Sequence, residues 1–186
     1  GYRSTYFILH TAPYWQLKAP LVTALDRIAE LGHEIGFHNN ALAESLRTGQ
    51  HPLIIVHDVL AELRGYGYPV RGAVAHGDRI CREAGFVNDE IFSECARPAH
   101  GAPDRTITYQ GRRTTLNPVS WADFGLEYDP NWLSGRAEGL SDSGGTWHTP
   151  FDQVCADFPY GNGQLHILQH PIWWRTAFDR EVSLAG

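Results

Sequence analysis

Methionine is absent from the 186 residues, and Lys18 is the only lysine. Arginine therefore supplies nearly all the positive charge, and it forms no basic run. With a formal net charge of -6, the chain lacks the electrostatic footprint of a nucleic-acid partner. No apolar run approaches the ~20 residues that span a bilayer. The opening Gly1-Tyr2-Arg3-Ser4-Thr5-Tyr6-Phe7 has no signal-peptide pattern. A chain that starts without Met and almost inside a strand is expected to be a piece lacking its own first strand. Any export signal would go with that segment, so the sequence leaves the compartment open. Cysteine is scarce too. Cys81, Cys95 and Cys155 are odd in number and lack zinc-type spacing, so free thiols are expected rather than a disulfide framework.

What is present fits one globular α/β domain over residues 1–186. Hydrophobic content of 42% and aromatic content of 12% support a packed core. Ser4 to Leu9 alternates and is rich in β formers, which reads as a strand. Leu17, Leu21, Leu25 and Ile28 recur at helical spacing, and Gly32 stops that helix. His33 to His38 reads as the next strand. Leu53, Val56, Leu60 and Leu63 mark a second helix closed by Gly65 and Gly67, and Val70 to Ala75 a third strand. Strand, helix, strand, helix, strand with crossover-length helices predicts a parallel α/β unit. Beyond His76 the periodicity weakens. Asn88 to Glu94 reads as a short helix and Thr106 to Arg113 as a hairpin turning near Gly111. Gly125 to Tyr128, Leu140 to Ser143 and Gln164 to Gln169 read as strands, the last followed by His170-Pro171 and an aromatic helix start.

Three histidines fall at predicted strand ends: His38, His76 and His170. Strand carboxyl ends in an α/β sheet share one edge, where ligands and metals bind. Neutral imidazole suits zinc and other first-row divalent metals, and a catalytic zinc keeps one position open for water. A carboxylate is the usual third donor, with Asp78 and Asp142 as candidates in the chain and a residue of the expected missing segment as an equal alternative.

The run Gly32-His33-Glu34-Ile35-Gly36-Phe37-His38 resembles the second motif of the polysaccharide deacetylases, the metal-dependent esterases of the chitooligosaccharide deacetylase type. The resemblance implies a distorted (β/α) barrel, here without its first strand, and zinc or a similar divalent metal. Ser4-Thr5-Tyr6-Phe7 looks like that family's second strand. The family's first motif, which holds two aspartates, has no match. Its second motif carries a further histidine four residues after the first, where this chain has Leu42. Val70 to Gly77 lies where the family has its third motif, and His76 is the proposed substitute ligand beside His38. Leu165-His166-Ile167-Leu168-Gln169-His170-Pro171 resembles the fifth motif, which implies that His170 is the general acid that protonates the leaving amine. Asp142, in Ser141-Asp142-Ser143-Gly144-Gly145, is the first choice to orient it, and Asp129 the second. Of Trp173 and Trp174, one is expected to stack on a sugar ring and the other to anchor the last helix, with Trp173 assigned to the sugar. His33 and Glu34 read as structural, His57-Asp58 as solvated surface, and His100 remains unassigned. Gly125-Leu126-Glu127-Tyr128-Asp129 with the Ser-Asp-Ser-Gly-Gly loop looks like a divergent branch, some of whose members occur with surface-glycan biosynthesis.

The expected activity is removal of an N-acetyl or O-acetyl group from a sugar or surface polysaccharide. Two other readings stay open. One is a non-catalytic carbohydrate-binding module on a degenerate barrel. The other is a different metal-dependent hydrolase on a similar barrel.

Overall fold

The computed structural model describes residues 3–95, 105–133, 138–142 and 165–171, with 146, 150 and 153 besides. The chain divides into two compact units, Gly1–Trp132 and Leu133–Gly186. In the first, strand β1 (Thr5–Leu9) leads through a 3-10 turn to helix α1 (Lys18–Glu30), then to strand β2 (Glu34–Asn39). Helices α2 (Ala41–Thr48) and α3 (Pro52–Gly65) follow, then strand β3 (Ala73–Ala75) and helix α4 (Arg79–Ala84). An antiparallel hairpin, β4 (Thr106–Tyr109) with β5 (Arg112–Thr115), comes after two short 3-10 turns.

The sheet has the order β1-β2-β3 and is wholly parallel, as the crossover helices require. Leu9 lies level with His38, and His38 level with Val74. Alternation then assigns the faces. Ile35, Phe37 and Asn39 point to one side, where they are buried. Leu21 and Leu25 of α1 and Val56, Leu60 and Leu63 of α3 belong to the same core cluster. Glu34, Gly36 and His38 share the other side. Tyr128 bridges to Gly72 just before β3, so the Gly125 to Tyr128 stretch runs beside the sheet as an isolated bridge rather than a named strand.

Local signals set the boundaries. Gly32 (φ +82°) ends α1, and Gly49 (φ +84°) ends α2. Pro52 starts α3, where the His51 ring accepts the Leu53 N–H at 3.3 Å. Gln110 and Gly111 both take positive φ, as a two-residue hairpin loop needs. Two helices were not expected, α2 and α4. The expected helix near Asn88 is instead a pair of 3-10 turns, Asn88–Ile91 and Ser93–Cys95.

In the second unit, β6 (Glu138–Ser141) pairs parallel with β7 (Leu165–Leu168). The described residues form a mixed α/β structure with small sheets and no closed barrel. None of their helices is long and apolar enough to cross a membrane.

Candidate active site

Residue by residue, the carboxyl edge of the three-stranded sheet is where the chemistry collects. His38 and Val74 are level, and His76 stands two residues beyond Val74 on the same face. The His38 and His76 rings meet edge to face, centroids 4.8 Å apart at 88°. The structure thus brings together the two imidazoles singled out in the sequence. The His76 backbone N–H donates to the Asn39 carbonyl at 2.8 Å, which extends the sheet to the residue that carries the ring.

His10 follows β1 directly, so the third strand of the sheet also ends in an imidazole. It was not singled out beforehand, and one residue beyond Leu9, which is level with His38, it turns to the opposite face of the sheet, where its ring rests against Phe37 with centroids 5.9 Å apart. Its side chain is 9% exposed, and neither ring nitrogen has a hydrogen-bond partner. Burial, then the nearby His76 and Arg47, lower its pKa to about 4, so the ring is neutral at physiological pH.

The carboxylate candidates are more committed. Asp78 caps α4 by accepting the Ile80 N–H at 2.9 Å. Its other oxygen accepts from Asn40 at 3.0 Å and pairs with Arg47. Burial pushes that carboxyl up, but the bonds from Arg47, Ile80 and Asn40 outweigh it and hold the pKa below the ordinary value. Asp78 is therefore a cap and an ion-pair partner before it is a ligand. Leu42 is fully buried in the first turn of α2, beside Pro52 and Ile91. It serves the core.

Beneath the edge lies a buried polar layer. Asn39 donates to the Asn88 carbonyl at 3.0 Å and to Asp89 at 3.1 Å, and accepts the Ala41 N–H at 3.0 Å. Asn88 donates to Asn40 at 3.0 Å and to the His76 carbonyl at 2.8 Å, and accepts the Ala43 N–H at 3.1 Å. Sequence reading missed this layer, since isolated Asn residues carry no pattern that distinguishes them from turn formers.

In the second unit, Asp142 follows β6 and His170 comes two residues after β7. Asp142 is 3% exposed, and its Oδ1 lies 2.6 Å from His170 Nδ1. Both its oxygens also accept the His170 backbone N–H at 2.9 Å. Burial raises the Asp142 pKa, yet the bonds from His170 outweigh that and the net shift is downward. The first-choice orienting carboxylate is thus paired with His170. Asp129 has other partners. It accepts the Asn131 N–H at 2.7 Å at the head of the short helix Pro130–Leu133 and is hydrogen bonded to Asp89.

His33 receives the Ser4 N–H at 3.2 Å, and Glu34 accepts from Tyr128 at 2.7 Å and Thr5 at 3.1 Å. Both act as the structural residues expected. His57 is 72% exposed at its side chain, on the solvated face of α3. Cys81 and Cys95 are buried free thiols. Burial raises both, Cys81 to about 11, so neither is a poised nucleophile. Trp173, Trp174, His100 and Cys155 lie outside the described residues. A depression lined by Arg64, Tyr68, Val70, Arg71 and Gly125 opens at the amino end of β3, away from the imidazoles. There Arg64 donates to the carbonyls of Phe124, Val70 and Gly125, so it clamps backbone.

The donors this edge would offer a divalent metal are the two imidazoles in contact, His38 and His76. Imidazole is the favoured ligand of borderline ions. Among the described residues, no group of three or more His, Cys, Asp or Glu side chains is already gathered for an ion. No family model matches the chain, and no curated protein or solved structure matches it.

Proposed function

We propose that the chain is a metal-dependent deacetylase that removes an acetyl group from a sugar, built on a distorted (β/α) barrel of the polysaccharide deacetylase type. The observation that carries this reading is the His170–Asp142 pair at the ends of two parallel strands, with Oδ1 and Nδ1 2.6 Å apart. A buried carboxylate on Nδ1 fixes the ring and its tautomer and leaves Nε2 as the proton-exchanging atom. In amide hydrolysis water adds to the acetyl carbonyl, the C–N bond breaks, and the departing nitrogen needs a proton. His170 Nε2 donates it, and Asp142 stabilises the imidazolium from which it comes.

His38 and His76 are the residues that would hold the metal. When bound, such an ion supplies Lewis acidity that lowers the pKa of water and polarises the acetyl carbonyl. In this reading the aromatic side chain that meets the apolar face of the sugar is that of Trp173, an assignment that rests on the sequence alone. The substrate is a carbohydrate carrying N-acetyl or O-acetyl groups, with surface glycans the favoured class.

Acetate release from acetylated chitooligosaccharides, assayed with added zinc, tests the reading. His170→Ala is expected to lower kcat by about 10²–10⁴-fold, the usual contribution of a general acid. His38→Ala is expected to abolish the zinc dependence. Wild-type-like acetate release by both variants would sink the assignment. Parallel assays of phosphate and glycoside release separate a different metal-dependent hydrolase.

The buried Leu42, at the position of the family's second metal-binding histidine, favours one further reading, a carbohydrate-binding module without catalysis. It predicts sugar binding that survives both substitutions and no acetate release under any metal.

A further inference from the structure

Arginines flank the strand end that carries His76. Arg82 Nη1 donates to the carbonyl of Gly77, the residue after His76, at 3.4 Å. Arg47 pairs with Asp78, one residue further on. We propose that these arginines begin a cationic track that holds an acidic glycan, one whose sugar units carry carboxylates, with its acetylated sugar at the imidazoles. The inference rests on the carbohydrate reading above and names the substrate class of that same site.

Packing and strand register trace the track outward. Helix α4 packs against β4. Tyr109 of β4 donates to Glu83 of α4 at 2.7 Å, and Arg79 pairs with the same carboxylate at 2.6 Å. Arg112 stands level with Tyr109 across the hairpin. Alternation puts both on one face with Thr114, which is buried and accepts from Ser45 of α2 at 3.4 Å. That face is turned to α2 and α4. Arg113, level with Thr108, belongs to the reverse face. The bond to Glu83 raises the Tyr109 pKa, and the charges of Arg79 and Arg47 oppose that rise. Bonds from Tyr109 and Arg79 lower the Glu83 pKa, and the charge of Arg82 adds to the fall. Arg47, Arg79, Arg82 and Arg112 thus lie around a single Tyr109–Glu83 bond.

Charge accounting separates the committed cations from the spare ones. Arg47 is matched by Asp78 and Glu44, and Arg79 by Glu83. Arg82 and Arg112 are exposed, and among the described residues no carboxylate lies within ion-pair distance of either. A local positive excess therefore adjoins the imidazole edge of a chain whose formal net charge is -6.

The ligand's chemistry follows from these donors. A guanidinium presents its N–H groups as a planar fork that matches a carboxylate. A glycan with a carboxylate on alternate sugars meets the two spare forks while leaving acetylated sugars between them. Nucleic acid is disfavoured, because its charges are far denser, about one per 1.7 Å of duplex axis, and the chain is acidic overall.

Hyaluronan and chitin oligosaccharides of equal length are matched probes, since both are N-acetylated and only the first carries carboxylates. Acetate release with added zinc is measured on each, at low and high salt. The full chain is compared with Arg82→Gln, Arg112→Gln, their double variant, and Arg113→Gln as the control on the reverse face. The expected result is a kcat/KM ratio of acidic over neutral substrate well above one, declining as salt screens the charges. Each track substitution should lower that ratio by about 2–5-fold, as loss of one exposed ion contact allows. The double variant should lose more, and Arg113→Gln should keep the wild-type ratio. A wild-type ratio near one, or a high ratio that the double variant retains, overturns the inference and leaves the deacetylase reading standing. An equal loss in Arg113→Gln, or tighter binding of an oligonucleotide of the same charge, overturns it as well. No acetate from either sugar overturns both.

Discussion

Gly36 shows how a single residue shapes the sheet. A Cβ built there would lie 2.5 Å from Cδ1 and 2.6 Å from Cε1 of Phe7, and 3.0 Å from Thr5 Cγ2. The Phe7 ring lies across the glycine because nothing else fills that place, and Phe7 pairs with Gly36 in register. Gly72 is covered in the same way by Tyr128, whose Cζ would be 2.5 Å from a new Cβ. Each aromatic ring stays over the face that carries His38. Gly36→Ala must displace a ring held between strands, so a loss of about 1–3 kcal/mol is expected, the usual cost of overpacking. Urea denaturation measures it. A variant within 0.5 kcal/mol of wild type, roughly the range for harmless substitutions, would mean that Phe7 moves aside freely. The motif glycine is then explained by a neighbour's ring, a contact that the motif itself does not contain.

At the level of elements, Asn88 ties parts that are distant in sequence. Its side chain joins Asn40 before α2, the Ala43 N–H within α2 and the His76 carbonyl after β3. Asn88→Ala leaves the Ala43 N–H, the Asn40 oxygen and the His76 carbonyl short of a partner. The expected cost is about 3 kcal/mol, near the upper end for a single substitution. Amide hydrogen exchange should show the loss first in α2 and around His76. Uniform exchange changes would argue against so local a role. This network also marks where sequence reading stops. β1, α1, β2, α3 and the β4–β5 hairpin were legible because period-2 and period-3.6 patterns, with Gly and Pro at their ends, are local signals. The α2 helix escaped because Ala41 to Thr48 makes barely two turns and follows directly on the strand with no loop. The α4 helix escaped because Asp78 reads equally as a turn residue or a cap. Likewise His38, His76, His170 and Asp142 could be read from strand ends. Asp89 could not, because its meaning comes from long-range neighbours.

For the molecule as a whole, the consequential long-range contact is that between Asp89 and Asp129, which are 4% and 1% exposed. Asp89 is hydrogen bonded to Asp129 and receives Asn39 at 3.1 Å. Two carboxyl groups in contact within a core cannot both ionise without cost. Burial first, then the hydrogen bond to Asp129 and its charge, push Asp89 well above the usual carboxylate range. The sign of the stability effect follows. In the unfolded chain Asp89 loses its proton near pH ~3.9, whereas the folded chain keeps it to higher pH. The native state therefore binds more protons between those two values. Its stabilisation is complete below the unfolded pKa and is lost as pH rises through the folded one. Asp89→Asn keeps an N–H donor for Asp129 and has no proton to lose. The variant should gain on the wild type as pH rises through this window, by at most about 1.4 kcal/mol per pH unit. Urea denaturation of both proteins at a series of pH values from 5 to 9 reads that difference directly. A constant difference across the series would mean that the pair holds no extra proton in the folded state. A growing one would place a titrating Asp89 directly beneath Asn39, and hence beneath the edge that carries His38 and His76. The variant would then separate the pH dependence of folding from that of any activity at the imidazoles.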